Sequence, residues 1–164
     1  NKELIREGAE IFGSQCIVVA IDAKKVLVND HPVNNRTCVR HSPQGWTCWK
    51  VFIDGGRINT NLDVIQWARA AKELGAGELL PTSIDCDGTN AGYDLTLVKT
   101  LSQTTNLPII ASGGAGTVDH IYAVLTEGCA DAALAASIFH RGHYTVKEVK
   151  QLLAQQGVAI RPVE

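Results

Sequence analysis

Residues 109–116 read Ile-Ile-Ala-Ser-Gly-Gly-Ala-Gly, a short apolar run that breaks into a glycine-rich turn. With Leu107 and Pro108 ahead of it, the run has the composition of a strand covered on both faces, and a helix is expected directly after Thr117. Glycine lets the backbone approach a ligand closely, and the free N–H groups at a helix start favour an anion. Strand, glycine turn and helix in that order describe a βα unit whose turn is a candidate phosphate site. Taken alone, the stretch fits equally well a tight turn that binds nothing.

The same alternation extends to both ends of the chain. Residues 1–12 place Leu4, Ile5, Ala9, Ile11 and Phe12 at helical spacing, with Gly13 as the closing glycine. Residues 16–21 are a continuous apolar run that stops at Asp22, which predicts a buried parallel strand carrying a carboxylate at its C-terminal end. From about 24 to 57 the pattern changes to alternating residues separated by polar turns, which predicts an antiparallel hairpin with Trp46 and Trp49 packing on it. Residues 62–74 form an amphipathic stripe closed by Gly75. A strand over 77–83 follows, with Pro81 marking an edge or a local distortion. After the polar loop 85–92 come a helix over 94–103, the opening strand and its turn, a helix over 118–127, a last strand over 131–135 and a helix over 146–155. The strands end in Asp22, Ser83, Ser112 and Ser137. Alternating strands and helices imply a parallel sheet with right-handed crossovers, and ligands gather beyond the carboxyl ends of such strands.

Composition narrows the function classes. The 164 residues are 45% hydrophobic and 20% charged with a net charge of −2, which fits one soluble domain and is not basic enough for a nucleic-acid partner. No apolar run approaches the roughly 20 residues that span a bilayer, and the start is not a signal peptide, so a cytoplasmic setting is expected. The five cysteines include no CxxC pair, which indicates neither a disulfide framework nor a zinc site; Cys38 and Cys48 can face each other across the hairpin, but free thiols are expected. His140 and His143 lack a third ligand, so no metal site is assigned. The absence of Met fits a trimmed chain or a piece of something longer.

Several motifs in order then point to a family. Val18-Val19-Ala20-Ile21-Asp22, Gly55-Gly56-Arg57, Gly75-Ala76-Gly77-Glu78, Ser83-Ile84-Asp85-Cys86-Asp87-Gly88-Thr89, Gly92-Tyr93-Asp94, the turn 112–116 and the run 133–140 together resemble the cyclase subunit of imidazole glycerol phosphate synthase, a TIM-barrel enzyme of histidine biosynthesis. The long segment with Cys48-Trp49 looks more like the cyclase domain of the bifunctional eukaryotic form. The resemblance covers only the second half of that barrel. It implies an α/β fold, a (βα)4 half of a (βα)8 barrel with parallel strands: a single domain over 1–164, with a leading helix, four βα units and a hairpin insertion at about 24–57. The chain departs from the family pattern at Pro81, where an aliphatic residue is usual, and at Asn61, where glycine is common.

The resemblance also implies roles. Asp87 matches the family's second general acid/base and Asp22 a polar residue lining the active-site mouth. Thr82 and Ser83 match pocket-lining positions, and Gly113, Gly114, Ala136 and Ser137 match a phosphate grip. The family adds ammonia from a glutaminase partner to the ketone of a ribulosyl intermediate bearing two phosphates, then cleaves it and closes an imidazole ring. No cofactor is implied. The four strands outside the match carry a catalytic aspartate, a lysine and the other phosphate grip. Plainer roles stand beside these: Asp87-Gly88 as a turn, Asp22 as a loop cap, Ser137 as a helix cap.

Four strands with helices on one side leave an open inner face and two open edges, which invites association. The expectation is a homodimer or higher oligomer that rebuilds a barrel; a complementing partner chain is the alternative. Three function classes follow: a cyclase-family lyase or a fragment of one, a phosphate-binding half barrel without turnover, and a purely structural assembly unit.

Overall fold

The computed structural model describes residues 1–28, 38–42 and 45–161. Helix α1 (Glu3–Phe12) ends at Gly13, whose φ of 86° and N–H bond to the Ala9 carbonyl turn the chain into a single 3-10 turn, Ser14–Cys16. The strands are β1 (Val18–Val28), β2 (Val39–Ser42), β3 (Gly45–Ile53), β4 (Ile58–Asp63), β5 (Glu78–Ser83), β6 (Ile110–Ala111) and β7 (Ala132–Ala133). Between and after them lie α2 (Val64–Glu73), α3 (Leu95–Thr105), α4 (Val118–Thr126), a short α5 (Ser137–His140) and α6 (Val146–Gln155). Side-chain caps start four of these helices: Asp63, Asp94, Thr117 and Thr145 each accept backbone N–H groups of the first turn.

The parallel part runs β1-β5-β6-β7. β1 pairs with β5 from Val18↔Glu78 to Ala23↔Ser83, β5 meets β6 at Leu79↔Ile109 and Thr82↔Ser112, and β6 pairs with β7 at Ile110↔Ala132. The sheet as a whole is mixed: the antiparallel strands, expected as a hairpin inserted after a purely parallel first strand, join the same sheet as the parallel ones. β1 does not stop at Asp22. It continues through the apolar residues 26–28 and pairs antiparallel with β3, Asp22↔Phe52 to Val28↔Trp46, on the side opposite β5. β2 and β4 flank β3 in turn, so the antiparallel strands share one sheet with the parallel ones.

Two sequence signals read differently in three dimensions. Cys38 stands opposite Cys48 in the β2–β3 register, their Cα atoms 4.4 Å apart, and the two form a disulfide rather than free thiols. Pro81 does not mark an edge, since β5 lies between β1 and β6. Leu79 and Ser83 donate to β6-side carbonyls of Pro108 and Ser112, and the Pro81 carbonyl accepts the Ser112 N–H. Proline has no N–H for the rung between, so β5 and β6 meet in two separate bridges instead of a ladder.

Strand alternation then divides the parallel sheet into two unlike faces. Ile21, Leu79, Ile109 and Ala111 are at most 1% exposed and form one core with Ile65 and Ala68 of α2, Leu97 and Leu101 of α3, Val124 of α4, and Leu153 of α6. The other face, made by Val18, Ala20, Asp22, Leu80, Thr82, Ile110, Ser112, Ala132 and Leu134, is half-buried or exposed throughout.

Candidate functional site

The site is built by three loops that follow β5, β6 and β7. After β5 the chain turns tightly because the Ser83 carbonyl accepts both the Cys86 and Asp87 N–H groups, at 3.2 and 2.9 Å. Thr89 steadies this loop by donating its hydroxyl to the Cys86 carbonyl at 2.6 Å and accepting the Ala91 N–H. The loop then lies on the glycine turn after β6: the Gly92 N–H donates to the Gly114 carbonyl at 2.8 Å.

Only glycine fits this contact. Gly114 has φ 107°, and a Cβ on it would sit 2.0 Å from the Gly92 carbonyl oxygen. Gly113 has φ 91°, and its Cβ would come within 2.8 Å of the Ser83 carbonyl oxygen and 3.4 Å of the Asp87 Cβ. The third loop joins through Ser137, whose hydroxyl donates to Asn90 Oδ1 at 2.9 Å and approaches the Ala115 carbonyl at 3.4 Å.

The three loops enclose a pocket of about 200 Å³ lined by Asp87, Gly88, Asn90 and residues 112–115 and 134–137. Among the described residues neither Lys nor Arg lines it. The donors are main-chain: among the described residues, the N–H groups of Gly113, Gly114, Ala136 and Ser137 have no protein acceptor. A concave set of unpaired N–H groups is suited to an anion. Asp87 supplies a carboxylate at its rim.

Five of the eight residues singled out from sequence thus meet in one pocket: Asp87, Gly113, Gly114, Ala136 and Ser137. Asp22 and Thr82 are register partners on the open face, half-buried, with Ser112 next in the row. Ser83 points the other way. It is 2% exposed and its hydroxyl has no hydrogen-bond partner, so its carbonyl rather than its side chain serves the site. Ser137 does not cap α5, whose N-cap is Ala136 without a side-chain bond; its hydroxyl goes to Asn90 instead. Asn90 was not anticipated. Its φ of 57° lets the loop fold back toward Ser137, a conformation that Asn tolerates.

A second layer fixes these loops. The Tyr93 hydroxyl, 6% exposed as a residue, donates to the Leu134 carbonyl at 2.9 Å and so ties the β5 loop to the end of β7. Burial pushes its phenol well above the ordinary value. Tyr93→Phe is expected to lose about 1 kcal/mol of stability in chemical denaturation. The unfolded phenol ionises near pH 10 while the folded one stays protonated, so this stabilisation is intact below pH 10 and is lost as pH rises beyond it. The variant should lack that part of the alkaline decline.

The larger cavity, about 550 Å³, is an apolar groove among α4, β7 and α6 lined by Ile121, Leu125, Phe139, Val149, Leu153 and Ile160. Of its polar members, Asp131 accepts the Ile109 N–H and Lys150 donates to the Arg161 carbonyl. Among the described residues no cluster of three or more His, Cys, Asp or Glu is placed to hold a metal, and no helix is long and apolar enough to cross a membrane.

The sequence matches the histidine biosynthesis protein family over residues 1–145. It is 49% identical over 163 residues to the imidazole glycerol phosphate synthase subunit HisF of Methanocaldococcus jannaschii, covering 98% of this chain and 60% of that protein. The chain thus spans about 60% of the length of this relative.

Proposed function

The chain belongs to the histidine biosynthesis protein family, and from that premise we propose that it forms the half of an imidazole glycerol phosphate synthase cyclase barrel that grips one phosphate of a two-phosphate substrate. The observation that carries this is the meeting of Asp87 with the unpaired N–H groups of Gly113, Gly114, Ala136 and Ser137 in one pocket. A phosphate fits such a site without a cation because several main-chain dipoles share its charge. The substrate is the ribulosyl intermediate, which ammonia attacks at its ketone before cleavage and ring closure.

Proton transfers dominate that chemistry. Asp87 at the pocket rim and Asp22 on the open face serve as acid and base, each contributing about 10²–10⁴-fold. Anchoring the phosphate fixes the reacting carbon relative to both carboxylates. Thr82 is the register partner of Asp22 on that face.

Such a half needs a complement. The open face of the sheet, the edge of β1 at 18–21 away from β5, and Leu4, Ile11 and Phe12 exposed on α1 are the surfaces that a further four βα units cover in a whole barrel. Those units come from more of the same chain, from a second copy in a homodimer, or from a partner chain. The ammonia comes from a glutaminase subunit; the M. jannaschii relative is itself named as one subunit of a synthase.

The second reading is a half barrel that binds phosphorylated ligands without turnover, favoured by the gathering of four unpaired main-chain N–H groups from this chain in one pocket. Ammonia-dependent cyclisation by the assembled barrel, its mass set by light scattering, separates the two. Wild type is expected to turn over. Asp22→Asn and Asp87→Asn should each lose about 10²–10⁴-fold in rate, with phosphate affinity within about threefold. An assembled wild-type barrel that binds phosphate but produces nothing would leave the binding role alone standing.

A further inference from the structure

Two helices of this chain start on one pattern and close it differently. α6 begins Thr145-Val146-Lys147-Glu148 and α4 begins Thr117-Val118-Asp119-His120. At α6 the Thr145 hydroxyl accepts the Glu148 N–H at 3.2 Å, and the Glu148 carboxylate accepts the Thr145 N–H at 2.7 Å, a reciprocal capping box. Those Thr145 bonds hold the Glu148 carboxyl below its ordinary value, so the cap is an anion.

At α4 Thr117 Oγ1 accepts the His120 N–H at 3.3 Å in the same way. The return bond differs in both chemistry and reach. His120 Nδ1 accepts the N–H of Gly116, one residue further back, at 3.1 Å. An accepting Nδ1 puts the ring proton on Nε2 and leaves the imidazole uncharged. The ring also lies along Gly92, where a Cβ would stand 3.5 Å from His120 Cδ2. Gly92 is the residue whose N–H holds the Gly114 carbonyl. One side chain thus touches the turn at its Gly116 end and the loop that clamps it at Gly114.

We propose that His120 is a positioning residue for the anion pocket: its neutral imidazole fixes the Gly116 end of the turn, so that the Gly113 and Gly114 N–H groups stay available to a bound phosphate. The proposal rests on the pocket being a phosphate grip. The choice of imidazole over carboxylate has an electrostatic reason. Asp87 already lines the pocket and Asp119, exposed, shares the first turn of α4. A further carboxylate beside them would repel a phosphate. α6 lines no part of the pocket and carries Glu148 without that cost.

Titration of the full chain with inorganic phosphate, together with a melting temperature for each variant, tests this. His120→Gln keeps a neutral acceptor of the ordinary capping kind and should bind within about twofold of wild type. His120→Leu removes the acceptor and should bind about tenfold more weakly. His120→Glu keeps the acceptor and adds a charge; its melting temperature should stay near that of wild type while its affinity falls about threefold. Equal phosphate affinity in wild type, Leu and Glu variants overturns the proposal, and should the Leu variant fail to fold, Gln and Glu binding alike overturns it. A wild-type chain that binds no phosphate removes the grip itself, a result visible before any His120 variant is made.

Discussion

Asp94→Ala is expected to lower stability by about 3 kcal/mol, the largest single-site loss in the loops around the pocket. The Asp94 side chain is 3% exposed and serves three partners. Oδ1 accepts the Leu97 N–H at 3.1 Å and caps α3, while Oδ2 accepts the Trp49 indole N–H at 2.9 Å and lies 3.3 Å from Lys25 Nζ. Loss of the cap costs about 1 kcal/mol. Stranding the Trp49 donor, in a residue 1% exposed, costs about 1–3 kcal/mol more. Lys25 is 37% exposed and its share is small, because water replaces the carboxylate. Asp94→Asn has one carbonyl oxygen for two donors: it keeps the α3 cap but sets its NH2 against the indole N–H, so it loses the Trp49 bond and should fall about 1–3 kcal/mol below wild type. Denaturation midpoints of the two variants decide the matter; an Asn variant as stable as wild type would mean that the Trp49–Asp94 bond carries no weight.

The second large effect falls on the pocket itself. Gly114→Ala should weaken phosphate binding by at least about 100-fold and destabilise the fold by about 2 kcal/mol. The new Cβ meets the Gly92 carbonyl oxygen at 2.0 Å, and φ 107° is closed to an L side chain. Relief requires the turn to leave Gly92, which breaks the 2.8 Å bond that shapes it. Gly142→Ala is the control. Its φ of 70° carries a backbone cost of about 1 kcal/mol, but nothing lies within 4 Å of the added carbon, and phosphate affinity should not change. Calorimetric titration with phosphate on both variants checks the contrast. Equal losses in the two would assign the effect to general instability rather than to the turn.

What could be read from the sequence follows what is local. Apolar spacing located α2, α3, α4 and α6 to within two residues at each end, since their buried stripes set their faces. Gly113 and Gly114 announced a turn because a positive φ writes itself into sequence as glycine. Pairing partners are not local. The alternating pattern from about 24 to 57 announces antiparallel pairing and sets Cys38 across from Cys48, but nothing in residues 22–28 tells that β1 runs on unbroken past its parallel neighbour at Ala23, or that the two thiols join. Ser83 shows how sharp the limit is: one residue of register separates it from Thr82, and that step turns its hydroxyl from the open face into the core. Asn90 carried a weaker signal, a polar residue between two turn glycines, and its bond to Ser137 spans 47 positions of the chain.

The site is therefore made by contacts between loops rather than by any one motif. The glycine turn supplies donors, the β5 loop supplies Asp87 and clamps the turn through Gly92, and Ser137 closes the third side through Asn90. Tyr93 and Asp94, adjacent in sequence, tie that loop outward to β7 and to the antiparallel strands.

The most direct test of the phosphate grip is a titration with a bis-phosphorylated sugar followed by amide resonances. Saturable shifts at Gly113, Gly114, Ala136 and Ser137, abolished in Gly114→Ala and kept in Gly142→Ala, are the predicted result. Saturation with those four amides unmoved, or with shifts confined to the apolar groove at Leu125 and Leu153, would contradict it.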